Sequence, residues 1–383
     1  MNVLILGAAG GMALATIHDL LATMGDGRIV MTDINDDILR SRMAGFNDDR
    51  LTALKLDLSD VDAVAKTMGD VDVVINEANY HLNLLVMQAA MKAGKPVLDL
   101  GGLYRMTLKQ TAIHDEVAAS GILVIPGMGS DPGTSNIMCR YGADQLDEVE
   151  EIKIRFGTSW SGRTFGFAIE TILDEAINNA VIYENGQFKE VPALSLSEKV
   201  EFRSPVGVQE TFIILHSELA TIPRTIKGVK RVTYFDTWDP GTVAKLKNLE
   251  ALGLLNDREV TIGGERSTHK QAMIKLLSQA VEEEQAAQGY DVLKITVAGQ
   301  KSGNAASYSY QIMTPGLLEQ GLTPTAYSTG VPPSIVAQMI CAGEVQGRGV
   351  LPPELCVDPE KYLARLKQRR FEVYQTMQQE RRL

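Results

Sequence analysis

Val3-Leu4-Ile5-Leu6-Gly7-Ala8-Ala9-Gly10-Gly11-Met12-Ala13 is the stretch that decides how this chain is read. Four apolar residues in a row predict a buried strand, and residues 12–24 have the length and composition of a helix. Between them, Gly7 permits a tight turn and Gly10 lets the backbone approach a pyrophosphate. Ala13 is small enough for the helix to lie on its strand. A helix N-terminus placed there offers free N–H groups and a partial positive charge to phosphates. Gly7, Ala9, Gly10, Gly11 and Met12 are therefore candidate cofactor-binding positions. No GK[ST] follows, so this is not a Walker A loop. The same stretch is apolar enough to imitate a signal peptide or a membrane span. However, no Lys or Arg precedes it, and His18 and Asp19 sit inside it, so a buried strand and helix is the better reading.

Outward from this stretch, apolar runs at 28–32, 51–56, 71–75, 96–100 and 122–125 alternate with helical segments at 36–47, 60–68, 81–93 and 110–120. Strands that are apolar throughout belong to a parallel sheet covered on both faces. Beyond Gly127 the strands lengthen and alternate, at 151–156, 211–215 and 230–235, and 291–298 with 305–313 read as a hairpin. The expected fold is α/β. A Rossmann-type parallel-sheet domain spans 1–128, and an α+β substrate and dimerisation domain with a mixed sheet spans 129–325. A C-terminal segment, 326–383, returns to the first domain. In that segment, a helix over 333–342 follows two prolines, and 359–383 reads as an amphipathic helix.

Single cores stop growing near ~250–300 residues, so 383 residues with 45% apolar content fit two domains. A net charge of −11 argues against a nucleic-acid partner. Cys139, Cys341 and Cys356 are scattered and form no disulfide framework, which points to the cytoplasm. The five histidines make no HxxxH pair, so no metal is expected, and no membrane association either.

Carboxyl ends of parallel strands are where open α/β sheets bind ligands. Asp33 ends the second strand, where a carboxylate takes the adenine ribose hydroxyls and repels a 2′-phosphate. NAD is thus favoured, while Arg40 nearby leaves NADP open. The competing role is a helix cap, open to Asp33 or Asn35. Asp57 with Leu58 follows the third strand, Asn76 with Glu77 the fourth, and Asp99 the fifth. The first four are candidate cofactor contacts and Asp99 a candidate substrate contact. Each of the polar ones serves equally well as a helix cap. Rival chemistries fit less well. Tyr290 and Lys294 have the Tyr-x-x-x-Lys spelling of short-chain reductases but lie in a strand-like run, about 13 Å apart. Cys139 sits in an apolar helical stretch without a neighbouring histidine, unlike an activated nucleophile.

With these residues in view, the chain resembles the saccharopine dehydrogenase-like superfamily, in particular its lysine 6-dehydrogenase branch. The likeness runs through Val73-Val74-Ile75-Asn76, His81-Leu82-Asn83-Leu84 and Val97-Leu98-Asp99-Leu100-Gly101-Gly102. Its most specific motif is Ile125-Pro126-Gly127-Met128-Gly129-Ser130-Asp131-Pro132-Gly133. It continues through Asn185-Gly186-Gln187, Glu190-Val191-Pro192-Ala193-Leu194-Ser195, Arg348-Gly349-Val350 and Pro352-Pro353-Glu354. The resemblance implies NAD(P)-dependent oxidoreductase chemistry at the C–N bond of an amino acid or amine, carried out by a homo-oligomer, with a dimer favoured. It brings Tyr104, Asp131, His216, Glu218 and Arg224 to the cleft. Arg224 is then a carboxylate clamp and His216 the proton shuttle, with Asp131 and Tyr104 as further catalytic candidates. One stretch departs from the pattern. Where lysine-oxidising relatives carry Arg-Gly-His, this chain has Trp238-Asp239-Pro240-Gly241. Trp238 and Asp239 join the substrate-binding candidates and favour a cationic substrate. The alternatives are an imine-reducing, C–N-forming enzyme of saccharopine or carboxynorspermidine type, and a non-catalytic dinucleotide-binding sensor.

Overall fold

The computed structural model describes residues 1–159, 168–280 and 289–380. Six strands open the chain: β1 (Asn2–Leu6), β2 (Arg28–Asp33), β3 (Leu51–Lys55), β4 (Val73–Asn76), β5 (Val97–Asp99) and β6 (Leu123–Ile125). The helices between them are α1 (Gly11–Thr23), α2 (Asp36–Phe46), α3 (Val61–Met68), α4 (Asn83–Ala93), α5 (Leu103–Ala112) and α6 (His114–Ser120). The segment expected as one helix over 110–120 is thus two, and it starts earlier. All strand pairings in this sheet are parallel, and the order is 3-2-1-4-5-6 with one further strand beyond β6. Alternate residues of β1 feed different cores, Val3 and Ile5 on one face and Leu4 and Leu6 on the other. The strand is apolar throughout because both faces are covered. The order reverses between β1 and β4, and the crevice opens at that switch point.

After α7 (Thr134–Ala143) comes the second domain. Its strands are β7 (Glu148–Thr158), β8 (Ala180–Glu184), β9 (Gln187–Val191), β10 (Ser197–Glu201), β11 (Val208–Ile213) and β12 (Arg231–Thr237). A small hairpin follows, β13 (Glu259–Ile262) with β14 (Glu265–Thr268). A long one closes the sheet, β15 (Tyr290–Lys301) with β16 (Asn304–Pro315). The sheet is mixed, since β12 runs parallel to β7 while β15 runs antiparallel to it. Helices α8 (Ile169–Ile177), α9 (Glu218–Thr225), α10 (Pro240–Ala251) and α11 (His269–Ala280) complete the layer. Tyr290 and Lys294 do lie in a strand, and Cys139 is buried in α7, where burial pushes its thiol up.

The C-terminal part laces both domains. Helix α12 (Pro324–Cys341) starts nine residues before the expected 333, capped by Thr323, and runs through Pro332 and Pro333. Two prolines remove helix hydrogen bonds, but burial around nearly the whole of α12 offsets the loss. It crosses α1 so closely that a Cβ on Gly330 would lie 2.3 Å from Met12 O. Strand β17 (Gly349–Val350) pairs with β6 in the first sheet. Then follow α13 (Pro353–Cys356), α14 (Pro359–Leu366) and β18 (Glu372–Gln379), which pairs with β16 in the second sheet. The amphipathic helix expected over 359–383 therefore ends at Leu366, and residues 381–383 lie outside the described residues. Val373, Tyr374 and Thr376 favour a strand, and the open edge of β16 supplies the hydrogen bonds. Between the lacing elements, Arg369 holds Asp19 of α1 through two hydrogen bonds of 2.9 Å, both side chains 5% exposed. Among the described residues no helix is long and apolar enough to cross a membrane.

Candidate active site

The glycine turn has the form its sequence predicts. Gly7 has φ +81°, and a Cβ there would fall 2.6 Å from Ala78 N, in the loop after β4. Gly10 caps α1 without a side chain, and a Cβ on Gly11 would meet nothing within 4 Å. Space is thus open beside the N-terminus of α1, as a phosphate requires. Asp33 turns to this loop: its Oδ2 accepts from Ala9 N at 3.2 Å, while Asn35 caps α2 through Ile38 N. Of the two roles open to Asp33, the cap has gone to its neighbour. Arg40 pairs with Asp36. These residues fit a dinucleotide, with Gly7, Ala9, Gly10, Gly11, Met12 and Asp33 to hold it. Asp57 instead accepts from Ser59 in its own turn, Leu58 is packed in the sheet core, and Asn76 is bonded to Asn83 and Ala78.

A cavity of about 270 Å³ lies in the cleft between the domains. Met12, Glu77, Asn79 and Tyr80 border it from the first domain. Asp131, Phe156, Glu175, His216, Tyr234 and Asp236 border it from the second. Asp131 is carried on the crossing loop, which folds back on itself through Gly129 N to Pro132 O at 2.7 Å. Gly133 there has φ +127°, and a Cβ on it would strike Gly129 O at 2.4 Å. Asp99 braces the loop from behind. Its carboxylate accepts from Gly101 N, Gly127 N and Gln110 Nε2 at 2.6–2.9 Å, and it does not border the cavity.

His216 and Tyr234 stack face to face, 3.8 Å between centroids and 3° between planes. The Tyr234 hydroxyl donates to Asp131, and His216 Nδ1 meets Glu218 Oε2. Glu218 is fully buried and takes the Ser135 hydroxyl on its other oxygen at 2.7 Å, so it holds His216 and does not reach into the cavity. Burial alone would lower the His216 pKa. The Glu218 carboxylate, with Glu175 and Asp131, outweighs it and lifts the ring to about 9. Burial pushes Asp131 up to about 6 and Glu175 up to about 8, and Asp236 well above the usual carboxylate range.

The other candidates lie elsewhere. Arg224 is exposed, stacked on Phe188 at 4.2 Å and bonded to Ala220 O, so it clamps nothing in the cleft. Tyr104 faces the same Phe188 ring. Asp239 caps α10, and Trp238 packs against the core. Sequence reasoning missed Glu175, Tyr234 and Asp236. The last two share a face of β12, two residues apart, and the strand expected over 230–235 stops one residue short of Asp236.

The family model for the saccharopine dehydrogenase NADP-binding domain matches residues 3–125, and that for the saccharopine dehydrogenase C-terminal domain matches 129–371. The chain belongs to the saccharopine dehydrogenase family. Like other members of the saccharopine dehydrogenase family it is an oxidoreductase that uses NAD(P). It is 24% identical to carboxyaminopropylagmatine dehydrogenase of Synechocystis sp., over 95% of each chain. It is also 24% identical to carboxynorspermidine synthase of Vibrio cholerae, over 82% of this chain and 80% of that one. The fold matches apo saccharopine dehydrogenase (L-Glu forming) from Saccharomyces cerevisiae, with a TM-score of 0.76 at 16% identity, covering 98% of this chain and 99% of that one.

Proposed function

We propose that this chain reduces the imine formed between an aldehyde and a di- or polyamine, giving a secondary amine. One observation carries the reading: Asp131, Glu175 and Asp236 border a single cavity that, among the described residues, has no Lys or Arg on its walls. Such a cavity suits a substrate with more than one cationic nitrogen. The names of the two relatives at 24% identity, which pair a carboxyl group with a polyamine, agree with it.

The overall change is R–CHO + H₂N–R′ + H⁺ → R–CH=NH⁺–R′ + H₂O, then R–CH=NH⁺–R′ + H⁻ → R–CH₂–NH–R′. A reduced nicotinamide cofactor held at the Gly7–Met12 turn and Asp33 would supply the hydride. Glu175 and Asp236 hold the distal ammonium. His216, whose Nδ1 is committed to Glu218, gives its Nε2 proton to the departing hydroxyl as water is lost, which leaves the nitrogen as an iminium and the ring neutral. Tyr234 keeps the imidazole parallel to its own ring, and its bond to Asp131 fixes the pair. Cofactor choice follows from Asp33, whose carboxylate disfavours a 2′-phosphate and favours NAD.

Oxidation of lysine at its side-chain nitrogen is the second reading. Its α-carboxylate, like the carboxyl group of an aldehyde partner, finds no Lys or Arg on the described cavity walls, so the reaction direction decides between the two readings. The test follows nicotinamide absorbance in both directions. Reduced cofactor with a carboxylated aldehyde and a series of diamines should be consumed. Turnover of lysine with oxidised cofactor, and none with aldehyde plus amine, would reverse the assignment.

A further inference from the structure

Glu77 is the first residue after β4, on the rim of the switch-point crevice, and its backbone N–H donates to Leu6 O of β1. The Gly7 turn presses against the loop that Glu77 begins, and Glu77 lines the cavity together with Met12, the second residue of α1. Its two carboxyl oxygens differ. Oε1 sits 2.5 Å from the Thr16 hydroxyl oxygen, while Oε2 is buried without a hydrogen-bond partner.

The Thr16 hydroxyl settles the protonation. It lies 2.6 Å from Gly330 O as well as against Glu77 Oε1. A hydroxyl has one proton to give, and a backbone carbonyl can only accept. With the Thr16 proton on Gly330 O, the short contact to Oε1 needs a proton from Glu77. The carboxyl group is then neutral, with its hydroxyl at Oε1 and its carbonyl oxygen, Oε2, free. Burial works the same way, pushing Glu77 up to about 8. An unpaired buried acceptor costs free energy until a donor reaches it.

We propose that Glu77 is kept as a neutral acid whose free Oε2 receives the carboxamide N–H of the nicotinamide ring. This makes Glu77 a specificity residue for the amide form of the cofactor. The inference does not depend on the amine substrate, because it concerns cofactor binding alone.

The experiment measures calorimetric affinities of the apo protein for three probes. These are NAD⁺ or NADP⁺ (whichever binds tighter), its nicotinic acid counterpart, and the corresponding ADP-ribose. The proteins compared are wild type, Glu77→Gln and Glu77→Leu. Glutamine reproduces a neutral acid, with an N–H for Thr16 and a C=O for the ring. It should hold the amide cofactor within about threefold of wild type and keep the preference over the nicotinic acid form. Leucine should lose about tenfold on the amide cofactor and lose the preference, with ADP-ribose binding unchanged. The infrared spectrum of wild type minus Glu77→Gln at pH 7 should carry the carbonyl stretch of a protonated carboxylic acid. If the band is missing, or if Glu77→Gln falls as far as Glu77→Leu, the neutral acid is overturned. If Glu77→Leu binds the amide cofactor like wild type, Oε2 does not serve the ring and belongs to the substrate nitrogen instead.

Discussion

Replacing Glu175 by Gln separates substrate recognition from stability, because the two effects run in opposite directions. A buried hydrogen bond between an ammonium and a carboxylate contributes about 1.5–3 kcal/mol. Its loss should raise KM for the diamine roughly tenfold to a hundredfold, with little change in KM for the aldehyde. In the empty cavity the same carboxylate is a liability. Burial raises Glu175 from 4.5 to about 8, which amounts to roughly 5 kcal/mol against the charged form. The folded chain then keeps a proton that the unfolded chain releases above pH 4.5. This group's contribution to stability therefore declines as pH rises from about 4.5 to about 8. Gln has no such proton, so the apo variant should melt above wild type at pH 8, with the gap closing towards pH 5. Steady-state kinetics with paired substrates and melting curves at four pH values read both effects. An amine KM within twofold of wild type, or a variant less stable than wild type at pH 8, would refute the assignment of Glu175 to the ammonium.

Three further outcomes follow from the same geometry. His216→Gln should lower kcat by about 10²–10⁴ while the dinucleotide Kd stays put, as stopped-flow and equilibrium titration would report. Glu218→Gln removes the main group holding the His216 ring near 9, so the alkaline limb of the kcat profile should move to lower pH; an unmoved limb would exclude His216 as the acid. Gly7→Ala places a methyl 2.6 Å from Ala78 N at φ +81°, and fluorescence titration should find dinucleotide binding lost, with the melting temperature also reduced.

The first domain was legible because its signals are local: apolar runs, helical spacing and a glycine turn each act over a few residues. The crossing loop was legible as a motif, yet its chemistry was not. Asp131 reaches the cavity, whereas Asp99, equally well placed at a strand end, spends its carboxylate on Gly101, Gly127 and Gln110. Strand-end position specifies where a side chain starts and not which donors compete for it. Arg224 and Tyr104 were misplaced for a related reason, since Phe188 draws both to a surface that nothing near them in sequence announces. The reading of 359–383 erred because a helical period can be found in Phe371, Tyr374 and Met377, while the open edge of β16 is invisible in one dimension.

The lacing by β17 and β18 bears on the order of events during synthesis. The first sheet obtains its outermost strand from residues 349–350, and the second obtains its own from 372–379. Both therefore expose an unpaired edge until residues 349–379 have left the ribosome. The N-terminal domain cannot reach its final form as an autonomous early unit, because α12, which covers α1, is also still to come. The final pairings of both sheets thus come from one C-terminal segment, so neither half of the cleft has its full sheet before that segment is in place.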